Sequence, residues 1–161
     1  MIGYMSLEEQ VDKEFLRARH RAILRLIAAR LRGHPERRTL PAFDEARRAL
    51  EADNRLYLGR RVVELSKIVG SVGRHHQFDG GFMPNRASMA EKWKRVDRAF
   101  HRGAELPPVR LYKLGDHYFV EDGNHRVSVA RYQGVEWIEA EVTEFRPRLS
   151  ASLPHDDVLV A

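Results

Sequence analysis

The chain has no cysteine among its 161 residues. A disulfide framework, a thiolate metal site and a cysteine nucleophile are therefore excluded, and the composition is typical of a reducing compartment. No apolar run in the sequence reaches the roughly 18 residues needed to cross a bilayer. Residues 1–14 lack the basic-then-apolar pattern of a secretion signal. We therefore expect a cytoplasmic protein that has no membrane partner.

The composition predicts a globular chain, because 43% of the residues are hydrophobic and 32% are charged. The length suits one compact domain with an appended segment and is too short for two full-sized domains. The formal net charge is +5, and residues 1–60 hold 13 basic against 9 acidic side chains. This excess of arginine leaves two interpretations open: a solvated helix face, or contact with an anionic partner such as DNA.

Two helices are predicted in an N-terminal segment, residues 1–57. The first begins at a capping box of Ser6 and Glu9, continues with apolar residues at helical spacing and ends at Gly33. The second is predicted over residues 42–53. Neither has enough apolar surface to stand alone, so both are expected to pack on the domain that follows. The face of the first helix that would contact DNA carries Arg17, Arg21, Arg25 and Arg32.

A mixed α/β (α+β) domain, with a small sheet and packed helices, is predicted over residues 58–145. Hydrophobic periodicity and turn residues indicate its elements. These are a strand from residue 60 with an irregularity near Ser66, an exposed loop over 70–84, a helix from a Ser88–Glu91 capping box to Gly103, a hairpin over 109–121, a helix over 124–133 and a strand over 135–143. The order is not a regular alternation of strands and helices. Residues 146–161 are expected to form a loose tail.

The turn over residues 122–126 is the segment best suited to chemistry. It leads from a predicted strand into a helix, whose first amides have no intrahelical acceptor and carry partial positive charge. Gly123 allows an unusual backbone angle and removes a side chain that would keep an anion away. Arg126 can contact two phosphate oxygens, and Asn124 and His125 add donors. The same pattern also fits a plain glycine turn whose arginine pairs with a neighbouring carboxylate.

An ordered set of segments resembles the nucleotide-binding domain of the ParB/sulfiredoxin superfamily. The segments cover about half of the chain. They are residues 61–68, 77–79, 89–92, 106–109, 118–120 and 122–126, followed by Ala130 and Gly134. The resemblance implies a fold whose Gly-x-x-Arg turn binds nucleotide phosphates, so that Gly123 and Arg126 form the phosphate-binding pair, with Asn124 and His125 between them. It also implies a nucleoside triphosphate or diphosphate as cofactor, CTP or ATP/ADP, with Mg²⁺ as an accompanying ion.

Differences from the superfamily's sequence pattern exclude some of its members as models for this chain. ParB partition proteins typically have glutamate and arginine where Asn124 and His125 stand, and they continue into a DNA-reading helical domain, whereas a short tail follows Phe145 here. A full partition protein is therefore not expected. Sulfiredoxin chemistry needs a cysteine at the position of Asn124 and is excluded. The Asp-Gly-x-His-Arg form is most similar to the kinase-like members.

Other histidines and carboxylates are weaker candidates. His75 and His76 stand side by side with Arg74 in the glycine-rich loop, and adjacent side chains on one loop rarely converge on a single ion. No metal site is predicted, and Arg74 is the better candidate for a second phosphate contact. No catalytic residue is identified. The weak candidates for an acid or base are His125, Glu64 and Asp79.

Two functional hypotheses follow. The first is a ParB-like nucleotide-binding module, regulatory in role, with DNA as a further partner of the arginine-bearing helices. The second is a small phosphoryl-transfer or nucleotide-hydrolysing enzyme, which needs a base and a magnesium-holding carboxylate near the cleft. For that carboxylate the candidates are Asp79, Glu64 and Asp122. The sequence leaves open which nucleotide binds and whether the chain forms a homodimer.

Overall fold

The computed structural model describes residues 3–33 and 40–147. Its elements are α1 (Leu7–Leu31), α2 (Phe43–Ala49), β1 (Asn54–Glu64), β2 (Ile68–Ser71), α3 (Ala90–His101), β3 (Val109–Leu114), β4 (His117–Asp122), α4 (Asn124–Tyr132) and β5 (Trp137–Arg146). The predicted class is confirmed: a mixed sheet with packed helices follows an N-terminal helix. Most of the predicted tail, from residue 148 onward, lies outside the described residues. None of the described helices combines the length and apolar composition that crossing a membrane requires.

The five strands form one sheet in the order β1-β5-β3-β4-β2. β1 pairs with β5, and β3 with β4, in antiparallel fashion, whereas β2 pairs with β4, and β3 with β5, in parallel. Because β2 and β4 are parallel neighbours, the chain leaves both at the same edge of the sheet. The loop that follows Ser71 and the start of α4 are thereby brought together.

The sheet is covered on both faces. Alternate residues of the strands point to opposite sides, so Val109, Leu111 and Val120 pack with Val127 of α4 in one core. On the other face, Phe43 of α2 packs against aromatic and aliphatic side chains of β3, β4 and β5. The two apolar faces of the sheet explain why α2 and α4 lie on opposite sides of it.

α1 forms an outer layer over α3 and α4. Its capping box is confirmed: the Ser6 amide donates to Glu9 at 2.9 Å, and the Glu9 amide donates to Ser6 Oγ at 3.2 Å. The buried stripe of α1 packs against Trp93 of α3 and Val129 of α4 through Phe15, Ala18 and Ala22. The helix is thus part of the domain's packing, as predicted from its limited apolar surface.

Two of the four arginines predicted to face a partner contact their own chain. The Arg21 guanidinium lies 4.7 Å from the centre of the Tyr132 ring. Arg25 forms an ion pair of 3.1 Å with Asp79. The predicted arginine face is therefore used in part to attach α1 to the domain.

The boundary predicted between residues 57 and 58 falls inside β1, which begins at Asn54. α2 ends at Ala49 rather than near residue 53, because Glu51 adopts a positive φ of 49° and the chain then pairs with β5. The predicted irregularity near Ser66 is confirmed as a 3-10 turn, Leu65–Lys67, between β1 and β2.

The loop predicted as exposed over 70–84 is buried at its centre. Phe78 and Phe82 are fully buried in the core beneath α4, and Met83 packs against Trp93. The capping box predicted at Ser88 and Glu91 does not form. The chain instead makes a 3-10 turn over Ala87–Met89, and α3 begins without a side-chain cap.

Candidate functional site

Gly123 is the residue that turns the chain from β4 into α4. Its φ of 102° and ψ of 29° lie in the left-handed region, and it is the N-cap of α4 without a side-chain hydrogen bond. A Cβ atom at this position would lie 2.6 Å from Cγ1 of Val109. Glycine is therefore required both by the backbone angle and by packing on β3. The first-turn amides of α4 remain uncapped, which leaves partial positive charge at this end of the helix.

Arg126 attaches the turn to the segment before β3. Its Nη1 donates to the carbonyl oxygens of Pro107 and Pro108, the latter at 3.1 Å, and its Nη2 donates to Oδ2 of Asp122 at 3.0 Å. Only 16% of the side chain is exposed. The pairing with a neighbouring carboxylate, which the sequence left open, is the arrangement seen. Phosphate contact by Arg126 would have to replace these bonds, so that role stays a prediction.

His125 lies in the first turn of α4, and two cationic side chains from other elements lie near it. Burial, then Arg74 of the loop and Lys92 of α3, lower the pKa of His125 from 6.5 to about 4. The imidazole is therefore neutral near pH 7, and it packs edge-on against Phe78 with ring centres 5.5 Å apart. Arg74 lies close enough to His125 to lower its pKa, and its contact with a phosphate stays a prediction. Lys92 was missed, because only the packing of α3 beside α4 places it there.

Two polar atoms of the turn, Oδ1 of Asn124 and Nδ1 of His125, are buried and have no hydrogen-bond partner among the described residues. Nδ1 of His75, in the loop beside Arg74, is buried and unpartnered as well. An unsatisfied buried polar group costs about 1–3 kcal/mol, so such groups call for an explanation by water or ligand. The start of α4 therefore combines backbone amides without a side-chain cap, two nearby cations and buried polar atoms without a hydrogen-bond partner.

The structure does not bring the predicted carboxylates to this turn as free groups. Asp79 is buried and accepts from the amides of Gly81 at 2.9 Å and Met83 at 2.8 Å, besides its ion pair with Arg25. It holds the loop in shape, which leaves little capacity for acid–base work. Asp122 is paired with Arg126.

Glu64 lies at a different cavity. It stands at the end of β1, 3.9 Å from the Lys67 ammonium. The cavity that it lines, of about 570 Å³, is also bordered by Arg21, Arg25 and Arg131, near the end of α4 rather than its start. Arg131 itself donates to the carbonyl oxygens of the Leu65–Lys67 turn and its flank. Glu64 and the turn at Gly123 are therefore separate features.

A second polar cluster was not predicted. Glu14 of α1, Asp97 and His101 of α3, and Gln133 after α4 meet between the three helices. Burial, then the nearby Glu14, raises the pKa of Asp97 to about 7. Burial acts to raise the pKa of Glu14, but its hydrogen bonds with Asp97 and His101 outweigh that effect and lower it. Two signals were present in the sequence. Glu14 interrupts the apolar stripe of its helix, and Asp97 and His101 are four residues apart.

Comparison with known proteins gives one structural likeness. No family model and no curated protein matches the chain. The crystal structure of sulfiredoxin from Arabidopsis thaliana is similar to it, with 16% sequence identity, a TM-score of 0.39, and coverage of 52% of this chain and 82% of that chain.

Proposed function

We propose that the protein is a nucleotide-binding module that holds the phosphates of a nucleoside diphosphate or triphosphate at the start of α4, and that its role is regulatory. The observation that carries this proposal is the meeting of an uncapped helix start with two cations and unpaired buried polar atoms. A helix N-terminus with oriented amides favours an anion, and nearby lysine and arginine side chains strengthen that preference.

The chemistry of each group suits a phosphate. The first-turn amides of α4 donate to one set of oxygens, and Arg74, at the surface of the loop, donates to another. Lys92 adds charge without a fixed geometry. The imidazole of His125, whose pKa is lowered to about 4 in the free protein by burial and both cations, can donate from one ring nitrogen. In this proposal Arg126 orders the turn, because its guanidinium is engaged by Pro107, Pro108 and Asp122.

The binding module is favoured over the enzyme. Phosphoryl transfer needs a carboxylate free to hold Mg²⁺ and a base with a pKa near the working pH. Among the described residues, the carboxylates that were candidates are engaged or distant, and His125 titrates too low for efficient general-base work. Contact with DNA is not included, because Arg21 and Arg25 are committed to the chain's own packing.

The proposal is tested by calorimetric titration of CTP, ATP, ADP and GTP, with and without Mg²⁺, into wild type, Arg74→Ala and Arg61→Ala. Arg61 lies on β1, at the far edge of the sheet, and controls for loss of one positive charge. We expect saturable binding of at least one nucleotide, weakened about tenfold or more in Arg74→Ala and unchanged in Arg61→Ala.

Two results would refute the proposal. One is the absence of saturable binding of any nucleotide at millimolar concentration. The other is an equal loss in both variants, which would indicate unspecific attraction to a basic protein. Arg126→Ala separates the roles of that residue: loss of binding together with loss of stability indicates a structural clamp, whereas loss of binding alone indicates a direct phosphate ligand. Steady phosphate release that disappears in Arg74→Ala would favour the enzyme instead.

A further inference from the structure

The polar cluster between α1, α3 and α4 concentrates ligand-type atoms in an otherwise apolar layer. His101 Nε2 lies 3.1 Å from each carboxylate oxygen of Glu14 and 3.6 Å from Oδ1 of Asp97. Gln133 Nε2 lies 2.5 Å from Glu14 Oε2 and 2.9 Å from Asp97 Oδ1. Phe15, Trp93 and Tyr132 pack close by. Three helices thus direct two carboxylates, an imidazole and an amide at one point.

The cluster holds two carboxylates, and His101 is its one side chain that can carry positive charge. Glu14 is 8% exposed and Asp97 is fully buried, and two neighbouring buried carboxylates cannot both be ionised without a counter-ion. Oδ2 of Asp97 is buried and has no hydrogen-bond partner among the described residues. The amide of Gln133 is turned so that its nitrogen also lies 3.4 Å from the ring nitrogen of His101. Gln133 is moreover the C-cap of α4, where the helix dipole adds negative charge.

The spacing of these atoms suits a metal ion. One ligand atom each from Glu14, Asp97 and His101 falls within 4.8 Å of the others. Atoms that bind one ion at about 2.1 Å are themselves about 3.0–3.5 Å apart, which is close to the separations in the cluster. An amide oxygen and nitrogen have nearly the same shape, so a half-turn of the Gln133 amide would place its oxygen where its nitrogen stands.

We propose that Glu14, Asp97 and His101 bind a divalent first-row transition metal ion, with the amide oxygen of Gln133 as a fourth ligand. One imidazole and two carboxylates suit Zn²⁺, Fe²⁺ or Mn²⁺, and the ion neutralises both buried carboxylates. Its ligands come from α1, α3 and the end of α4, so the ion fastens the N-terminal helix to the domain. No metal site was predicted from the sequence, in which His75 and His76 were the residues considered. The proposed site uses other residues.

The test uses tag-free, chelator-stripped protein and Co²⁺, whose visible absorption reports on coordination by protein ligands. We expect a visible band that saturates at one ion per chain and that Zn²⁺ abolishes by displacement. We also expect Zn²⁺ in large excess over its Kd to raise the melting temperature by about 5 °C, because an ion that binds only the folded state stabilises it.

Variants locate the ion. His101→Gln should lose the cobalt band, whereas His117→Gln, at an exposed histidine of β4, should keep it. Gln133→Ala retains the three main ligands and should weaken Co²⁺ about tenfold, which provides a test if His101→Gln does not fold. The proposal is overturned if wild type shows neither a band nor a thermal shift. It is equally overturned if His101→Gln or Gln133→Ala binds Co²⁺ as tightly as wild type does.

Discussion

Both ends of α4 lie beside buried polar atoms that have no hydrogen-bond partner among the described residues. The two ends differ in the sign of the charge around them. At the start, Arg74 and Lys92 stand near the positive end of the helix dipole. At the end, Glu14 and Asp97 stand near the negative one. Charges are usually arranged in the opposite way, since acidic groups favour the start of a helix and basic groups its end. Asp122 at the start and Arg131 in the last turn have the usual signs, but Asp122 is paired with Arg126 and Arg131 donates to backbone carbonyl oxygens. The remaining groups favour an anion at the start of α4 and a cation at its end.

The middle of α4 is held by buried contacts, whereas Arg126 and Arg131 attach its two ends through hydrogen bonds. Val127 and Val129 are fully buried, and Ser128 Oγ accepts from the indole Nε1 of Trp93 at 2.9 Å. Apolar contact and one buried hydrogen bond thus position a helix whose ends remain adapted to ligands. Substitutions along α4 and in the residues that contact it test the two roles separately.

The largest effect is expected at the middle. Trp93→Ala removes a fully buried indole that supports α4 and α1 together, and it leaves Ser128 without its partner. We expect a loss of about 3–5 kcal/mol in the free energy of unfolding, measured by urea denaturation. Ser128→Ala should lose about 1 kcal/mol. Equal, small losses in the free energy of unfolding for both variants would show that the middle of α4 contributes little to holding the helix in place.

A smaller effect should separate the two glycines that bound α4. Both have positive φ, 102° at Gly123 and 75° at Gly134, but a Cβ meets Val109 at the first and open space at the second. We expect Gly134→Ala to cost about 1 kcal/mol through backbone strain and Gly123→Ala about 2–3 kcal/mol through strain and collision. Thermal and urea unfolding check this. The double variant Gly123→Ala/Val109→Ala relieves the collision, because it removes Cγ1 of Val109, the atom nearest to the new Cβ. Relative to Val109→Ala alone, the Gly123→Ala change should then cost less stability than it does in wild type. If it costs the same, the whole loss is due to the positive φ.

The last effect is a pH dependence at the start of α4, which appears only as the pH falls. Burial, Arg74 and Lys92 lower the pKa of His125 to about 4, whereas the value in an unfolded chain is 6.5. The unfolded state therefore binds more protons between these values, so the stability that depends on neutral His125 is complete above pH 6.5 and is lost as the pH falls toward 4. Between about pH 7.5 and about pH 4.5, wild type should lose about 2 kcal/mol more than His125→Gln.

Urea unfolding at the two pH values measures this difference, and NMR titration of the His125 ring follows its pKa directly. A bound nucleotide should raise that pKa, since phosphate offsets the field of the two cations. Parallel pH profiles for wild type and His125→Gln would contradict the buried, neutral imidazole. An unchanged His125 pKa in the presence of saturating nucleotide would place the phosphates elsewhere.

Local patterns in the sequence were sufficient for much of the fold. The Ser6 capping box, the hairpin at Gly115 and the passage from β4 through Gly123 into α4 depend on neighbours within a few residues, and all three are present. The Ser88 capping box had the same local signal, but packing of Met89 in the core accompanies a 3-10 turn there instead. A capping pattern is thus a weaker predictor where a residue inside the pattern, here Met89, is buried.

The parts that could not be predicted depend on contacts between distant segments. Phe78 and Phe82 lie in a stretch rich in glycine and charge, and only insertion beneath α4 buries them. Lys92 reaches the turn because α3 packs on α4. The turn itself was predicted, but the direction of the Arg126 guanidinium follows from carbonyl groups of the Pro107–Pro108 segment, which no pattern within residues 122–126 reveals.

The pairing of β1 with β5 has a consequence for how the chain folds during synthesis. These are the first and last strands, and they are joined along their whole length, from Asn54 opposite Arg146 to Glu64 opposite Trp137. Contacts between such distant segments form slowly, and β1 can pair only after β5 has left the ribosome. Until then β1 is an unpaired strand that carries Leu56, Tyr57 and Val62, which attracts other chains. We therefore expect the last step of folding to be the closure of this edge, and chains that stall before residue 137 to be the ones that aggregate.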